Sequence, residues 1–209
     1  MSLNPDKKPV VAVIGVGPGI GEAVSHHFAQ KNFAVALIAR TESKLATIQN
    51  TINSSVGSAA SKYYVADARS ESSLQSTFAA IKSDLGVVDV LIYNAGSRRF
   101  TPRTILETSS EEFESFTKIN LFGAFYAAKC VIPGMLEKGE GTVIFTGATG
   151  SIRGSAGLSS FSPGKFGLRS LMQPSDLAGI YWWLYTQPRS TWTQELDVRA
   201  QREQMFSKM

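Results

Sequence analysis

The feature that most constrains this chain's fold is an alternation. Five short, near-continuous apolar runs, PVVAVIGV (9 to 16), FAVALIAR (33 to 40), KYYVADA (62 to 68), VDVLIYNAG (88 to 96) and GTVIFTG (141 to 147), are bounded by Gly or Asp. A strand with one wet face reads apolar at every second position. Runs apolar at successive positions need cover on both faces, as the strands of a parallel sheet have. Between them lie GEAVSHHFAQK, ESKLATIQNTI, ESSLQSTFAAIKSDLG and SSEEFESFTKINLFGAFYAAKCVIPGMLEKG, each with apolar residues at helical spacing. In the last stretch Ser109, followed three positions on by Glu112, reads as a capping box. This order predicts a three-layer α/β/α fold, a doubly wound parallel sheet with helices on both sides.

Composition narrows the partners. At 209 residues, 43% hydrophobic and 18% charged, residues 1–209 are expected to form a single domain. The apolar stretches are strand-length or broken by Gly and charge, so none is expected to reach the roughly 20 residues of a membrane span, and no membrane partner is expected. MSLNPDKKPV lacks the apolar core of a secretory signal, and a lone Cys130 fits a reducing compartment, so a cytoplasmic location is expected. Net charge is +4 with Lys and Arg dispersed, which argues against a nucleic-acid partner. The densest basic spot, SRRFTPR (97 to 103), reads as a solvated loop or as a loop beside an anionic ligand. His26 and His27 have no Cys or carboxylate at ligand spacing, so no metal site is expected. Trp182, Trp183 and Tyr185 read as packing residues, and Cys130 as buried filler.

Gly15, Gly17, Gly19 and Gly21 stand directly after the first apolar run and before the first helical stretch. A strand-to-helix turn without Cβ atoms lets backbone N–H groups and the helix N-terminus approach a pyrophosphate. The same glycines would also serve a tight turn with no ligand. At the end of the second run, where an Asp or Glu for a ribose 2′-hydroxyl often stands, the chain has Arg40. A cation there suits a 2′-phosphate, favouring NADP over NAD, unless Arg40 is only a surface charge.

GVGPGIG, Asp67 after the third run, NAG at 94 to 96, Asn120 within KINLFGAF and FSPGKFGLRSL from 161 together resemble the short-chain dehydrogenase/reductase family, over about Pro9 to Leu171. The resemblance implies a Rossmann-type sheet with NADP(H) across its carboxyl edge. The glycines and Ile20 would contact the cofactor, Asp67 would lie near the adenine, and Asn94, Ala95 and Gly96 would line the cofactor cleft. Hydride transfer to or from a small carbonyl or alcohol substrate is the implied chemistry. A homodimer or homotetramer is implied as well, which the broad apolar face of Phe122, Phe125, Tyr126 and Cys130 would suit.

Two departures qualify that implication. The family uses an Asn, a Ser, a Tyr and a Lys; the Tyr phenol moves the proton, and the Lys holds the nicotinamide ribose and lowers the phenol's pKa from about 10. Here the Asn and Lys positions hold Asn120 and Lys165, but the Tyr position is Phe161 and the Ser position is Ala148. The chain thus resembles a subgroup with Phe for the Tyr and Ala for the Ser. Three accounts stay open: recruitment of Ser151, Ser160 or Ser162, protonation by water held at Lys165, or a non-catalytic NADP-binding regulator or scaffold. The other departure is C-terminal. KFGLRSLMQ meets Pro174, and PSDLAGIYWWLYTQPRSTWTQELDVR follows at once, resembling the family's last helix (about 175 to 187) and strand (about 194 to 199). The family's substrate-covering segment is therefore expected to be missing between about Met172 and Pro174.

Overall fold

The computed structural model describes residues 8–96 and 103–171. Val10–Ile14 (β1), Ala34–Ala39 (β2), Ser61–Val65 (β3), Val88–Tyr93 (β4) and Thr142–Phe145 (β5) form one parallel sheet in the order β3-β2-β1-β4-β5. Each strand falls on one of the apolar runs. Val11, Val13, Val35 and Leu37 pack with Leu45, Ile48 and Ile52 on one face of the sheet. Ala12, Ile14, Ala36 and Ile38, of the opposite parity, are equally buried, so the central strands are covered on both faces. That double burial is why alternation is missing from the sequence.

The helices are Ile20–Gln30 (α1), Glu42–Val56 (α2), Glu71–Asp84 (α3), Ser110–Thr117 (α4), Gly123–Lys138 (α5) and Ser162–Ser170 (α6). Ser70 caps α3 by accepting from Ser73 N at 3.2 Å. Leu45, Ile48 and Ile52 give α2 a buried stripe at helical spacing, and Leu74, Phe78 and Ile81 do the same for α3. The chain divides into two compact units, Met1–Arg169 and Ser170–Met209. The elements above belong to the first, α6 ending one residue past its boundary; all but the start of the second lies outside the described residues. So do the expected last helix and strand, and the expected missing segment near Met172.

Two expectations need correction around α4 and α5. The stretch from Ser110 to Lys138 is helical for 29 residues, and by length and composition it is apolar enough to cross a membrane, contrary to the expectation that nothing is. Gly123 and Pro133 do not break it. Gly123, Ala124, Ala127, Val131 and Met135 are buried where α5 packs on α3 and β4, the placement of a core helix. The stretch is also not one regular α-helix, because Lys118–Phe122 is a π-helical turn between α4 and α5. The capping box, in turn, forms by half. Ser109 Oγ accepts from Glu112 N at 3.2 Å, but the Glu112 carboxylate turns away, to Ser160 Oγ at 3.1 Å and Arg103 Nε at 3.4 Å. The competing ion pair and hydroxyl outbid the reciprocal cap.

Candidate active site

The sheet order places the site. From β1 the chain moves outward through β2 to β3, then returns to lay β4 on the other side of β1. Between β1 and β4 the strand order reverses, and ligands of doubly wound sheets bind in the crevice that such a reversal opens at the carboxyl ends. Ile14 pairs with Tyr93 there, so the glycine turn after β1 and Asn94-Ala95-Gly96 after β4 leave the sheet side by side. Asn94 N donates to Ile14 O at 2.8 Å, and Asn94 Nδ2 donates to Gly15 O at 3.2 Å.

This approach explains one glycine directly. Gly15 has φ +91°, and a Cβ on it would lie 2.5 to 2.7 Å from the backbone of Asn94 and Ala95. Any side chain would therefore push the two strand exits apart. Gly19 sits at the N-cap of α1 with no side chain to occupy the helix's first amides, which leaves the positive end of the helix open. Beyond it Ile20 is 64% exposed, unusual for so large an apolar side chain, and lines the crevice.

A cleft of about 400 Å³ is lined by Gly15, Gly17, Ile20, Gly21, Arg40, Asn94, Ala95 and Gly96 among others, bringing together eight of the residues singled out in the sequence. Lys44, Thr41 and Ile119 line it too. Lys44, to which the sequence pattern assigned no role, stands four residues after Arg40 in the first turn of α2. Neither Arg40 nor Lys44 is in an ion pair with a described residue. Two exposed cations at the end of β2 are thus available to an anion.

Gly19 and Asp67 are not among the lining residues. Gly19 borders a separate groove with His26 and His27, where His26 Nε2 meets Ser55 Oγ at 2.8 Å. Asp67 stands between Ala66 and Ala68, which do line the cleft. Its carboxylate is gripped by Arg69, with Nη2 to Oδ2 at 2.6 Å and Nε to both oxygens at 3.1 Å. The Arg69 guanidinium holds that carboxyl below its ordinary pKa.

Asn120 and Lys165 converge behind Gly96. A Cβ on Gly96 would lie 3.3 Å from Asn120 Oδ1 and 3.8 Å from Lys165 Nζ. Asn120 lies in the π-helical turn, fully buried, and neither its Oδ1 nor its Nδ2 has a hydrogen-bond partner. A buried amide in that state is a donor and acceptor pair fit for a bound polar group or water. The turn is held by Tyr93, whose buried hydroxyl donates to Ile119 O at 2.5 Å; burial raises that phenol above its ordinary pKa. Gly164 of α6 packs so closely on the turn that a Cβ would lie 2.8 Å from Asn120 Cβ. Lys165, one residue on, is 5% exposed and donates from Nζ to Thr146 O at 2.7 Å. Burial pulls its ammonium down from the usual lysine range to about 8. Phe161 sits one helical turn before it, with Nζ 6.0 Å from the ring centroid.

The candidate serines divide. Ser151 Oγ accepts from Ala148 N at 3.0 Å, and Ser160, 2% exposed, donates to Glu112 Oε1. Ser162 Oγ is buried without a partner, and a Cβ on Gly150 would lie 3.2 Å from it. Only Ser160 is hydrogen-bonded to a carboxylate, that of Glu112, which is also paired with Arg103.

A parallel sheet with a glycine turn and a helix N-terminus at its reversal point, and two cations at the end of the neighbouring strand β2, defines a dinucleotide-binding α/β protein. Residues 9–178 match the short chain dehydrogenase family model, and the chain belongs to that family of oxidoreductases. It is 32% identical over 159 residues to carbonyl reductase family member 4 of Xenopus laevis, an alignment covering 76% of this chain and 64% of that one. The chain therefore spans less than two thirds of that relative's length. A short-chain dehydrogenase from Rhodopseudomonas palustris superposes with a TM-score of 0.74 at 32% identity, covering 91% of this chain and 98% of the other. Actinorhodin polyketide ketoreductase, solved as a variant with NADPH, superposes with a TM-score of 0.73 at 28% identity, over 78% and 62% of the two chains.

Proposed function

We propose that this chain is an NADP(H)-dependent oxidoreductase of small carbonyl or alcohol substrates that works without the Tyr and Ser of its family. The observation that carries the cofactor preference is the pair Arg40 and Lys44, both exposed, both lining the cleft and neither in an ion pair among the described residues. The NADPH-bound ketoreductase and the carbonyl reductase relative support the same reading by analogy. Gly15, Gly17, Gly21 and the open start of α1 fit a pyrophosphate. Asn94, Ala95, Gly96 and Lys165 fit the nicotinamide end. The cofactor, when bound, supplies a hydride with its electron pair. The chain's own residues hold that end of the cleft closed at the back, where Asn120 and Lys165 offer an amide and an ammonium shielded from bulk water.

A homodimer or homotetramer belongs to this proposal. Phe122 and Phe125 on one side of the π turn and α5, and Phe166 on α6, are each more than 40% exposed, as are Ile132 and Leu136. Apolar side chains of that size gathered on a helix surface suit burial by a second copy. Light scattering on the purified protein distinguishes the oligomer from a monomer.

Fluorescence titration with NADPH and NADH tests the cofactor. The expected result is tighter binding of NADPH, with Arg40→Asp weakening NADPH by at least about tenfold while leaving NADH nearly unchanged, a shift of about 1.4 kcal/mol. Equal binding of the two cofactors would refute the preference. Phe161→Tyr combined with Ala148→Ser tests the substrate end: a gain in carbonyl reduction supports an intact pocket. A protein that binds NADPH yet reduces no carbonyl, even with both hydroxyls restored, is instead an NADP-binding regulator.

A further inference from the structure

The segment that carries Phe161 and Lys165 to the cleft has little regular structure of its own. Between the end of β5 at Phe145 and the start of α6 at Ser162 the chain makes one short 3-10 turn, Thr149–Ser151. Such backbone keeps its place only where partners hold it. We infer that Glu112 is a positioning residue for this segment: through Ser160 it fixes the first turn of α6, and with it Lys165, at the nicotinamide end of the cleft. The inference rests on the cofactor site proposed above. Glu112 lines no part of that cleft, so whatever it does there passes through Ser160 and α6.

Its contacts converge on the turn that begins α6. Ser160, 2% exposed, donates from Oγ to Glu112 Oε1 at 3.1 Å. On either side of it the backbone closes on itself, Phe161 N and Ser162 N both donating to Leu158 O, at 3.1 and 3.0 Å. The other carboxylate oxygen, Oε2, meets Arg103 Nε at 3.4 Å. Arg103 is bound to the same segment, its N donating to Gly157 O at 3.0 Å and its O accepting from Ser159 Oγ at 3.0 Å. Glu112 thus holds the segment directly at Ser160 and through Arg103 at Gly157 and Ser159. A carboxylate at this position of a helix would ordinarily return to its own N-cap. Here that local contact is given up for one that reaches 48 residues along the chain.

The far end of α4 makes the second attachment. α4 passes directly into the π turn that holds Asn120. Gly164 lies against this turn, where a Cβ would be 2.8 Å from Asn120 Cβ and 3.3 Å from Phe116 O. The start of α6 is therefore joined to one continuous helical stretch at two points, Ser160 with Glu112 and Gly164 with Asn120. Two points fix a direction where one fixes only a position. Lys165 follows Gly164, and its Nζ has to reach Thr146 O while staying beside Gly96. With the Glu112 contact released, Gly164 becomes a pivot and Lys165 shifts relative to Asn120. A misplacement of about 1 Å at a reacting centre costs up to about 100-fold in rate.

The test separates the two ends of the cleft on the full chain. Adenosine 2′,5′-bisphosphate carries the base and 2′-phosphate of the cofactor but no nicotinamide; NADPH spans both ends. Glu112→Ala should bind the bisphosphate within about twofold of wild type, bind NADPH about fivefold or more weaker, and reduce 4-nitrobenzaldehyde with kcat lowered about tenfold or more. Glu112→Gln keeps an oxygen for the Ser160 hydroxyl and gives up only a partly exposed ion pair, so it should stay within about twofold of wild type in all three. Ser160→Ala should match Glu112→Ala, and the double variant should be no worse than either, because the two side chains make one contact. Should Glu112→Ala fail to fold, Ser160→Ala, the loss of one hydroxyl, carries the same comparison. Equal weakening of the bisphosphate and NADPH marks a general loss of structure and overturns the inference. So does NADPH affinity or kcat within about twofold of wild type in Glu112→Ala, a Glu112→Gln as impaired as Glu112→Ala, or a loss in Ser160→Ala that Glu112→Ala does not share. A wild type that binds neither ligand removes the cofactor reading and this inference with it. One that binds NADPH but reduces no aldehyde removes the oxidoreductase reading alone, and the ratio of the two affinities still decides the role of Glu112.

Discussion

Replacing Gly15 by Ala, with Gly139→Ala as its control, separates close backbone approach from conformational strain. Both glycines have positive φ, +91° and +76°. At Gly139, the left-handed residue that ends α5, a Cβ would meet nothing within 4 Å. Only the strain applies there, about 1–2 kcal/mol for an L-residue. At Gly15 the Cβ would meet three backbone atoms of Asn94 and Ala95 at 2.5 to 2.7 Å, against 3.4 to 4 Å for ordinary contact. Those atoms cannot rotate away, because Asn94 N is tied to Ile14 O and Ala95 is buried. Overpacking of a rigid wall adds about 1–3 kcal/mol to the same strain, giving about 2–5 kcal/mol in all. Urea denaturation at unchanged slope should therefore place Gly15→Ala below Gly139→Ala by about 2 kcal/mol, and Tm should be lower by several degrees. NADPH titration should show loss of affinity in Gly15→Ala alone. Equal destabilisation of the two variants, or wild-type NADPH affinity in Gly15→Ala, would refute the reasoning.

Three further outcomes are expected. The Lys165 ammonium is lowered in the folded state from about 10.4 to about 8, so between those values the unfolded chain binds more protons and stability rises with pH. The stability advantage of Lys165→Met over wild type should shrink by about 3 kcal/mol across that window, measured by denaturation at pH 7.5 and 10.5. Tyr93→Phe removes the donor to Ile119 O and leaves a buried carbonyl unpaired, at a cost of about 1–3 kcal/mol and with faster amide exchange at 118–122. Arg69 depresses the Asp67 carboxyl, so the pair stabilises above the ordinary Asp pKa and the contribution is lost as pH falls through the lowered one. Both groups are about a third exposed, so Arg69→Gln should cost under about 1 kcal/mol at pH 7, a difference that vanishes in strong acid.

The parts of the fold that were legible in the sequence are those set by local pattern and burial. β1 and β2 announce themselves because both of their faces are covered, and α2 and α3 because one stripe is. The glycine turn was legible for the same reason: strand, glycines and helix follow within a few residues. What escaped depends on distant partners. KINLF contains nothing that marks a π turn; the carbonyl it releases is satisfied by Tyr93, 26 residues earlier. Glu112 looks like a capping residue until Arg103 and Ser160 arrive from other segments to claim it. Lys44 was overlooked because its place beside Arg40 follows from where α2 begins, a boundary that Glu42 alone does not fix. The membrane-length helix escapes the sequence because Gly and charge look like interruptions, whereas packing on α3 and β4 carries the helix through Gly123 and Pro133 alike.

The π turn has a bearing on how this chain can change over time. One residue beyond α-helical spacing turns everything after it by about 100°. The apolar face of α5, from Gly123 to Met135, meets the sheet in its present phase only because that residue is there. A substitution within Lys118–Phe122 alters one side chain, but a single-residue deletion would rotate α5 as a whole and carry its buried alanines toward solvent. The segment should therefore accept changes of letter far more readily than changes of length, and Asn120 keeps its place in the site through a count of residues as much as through its own chemistry.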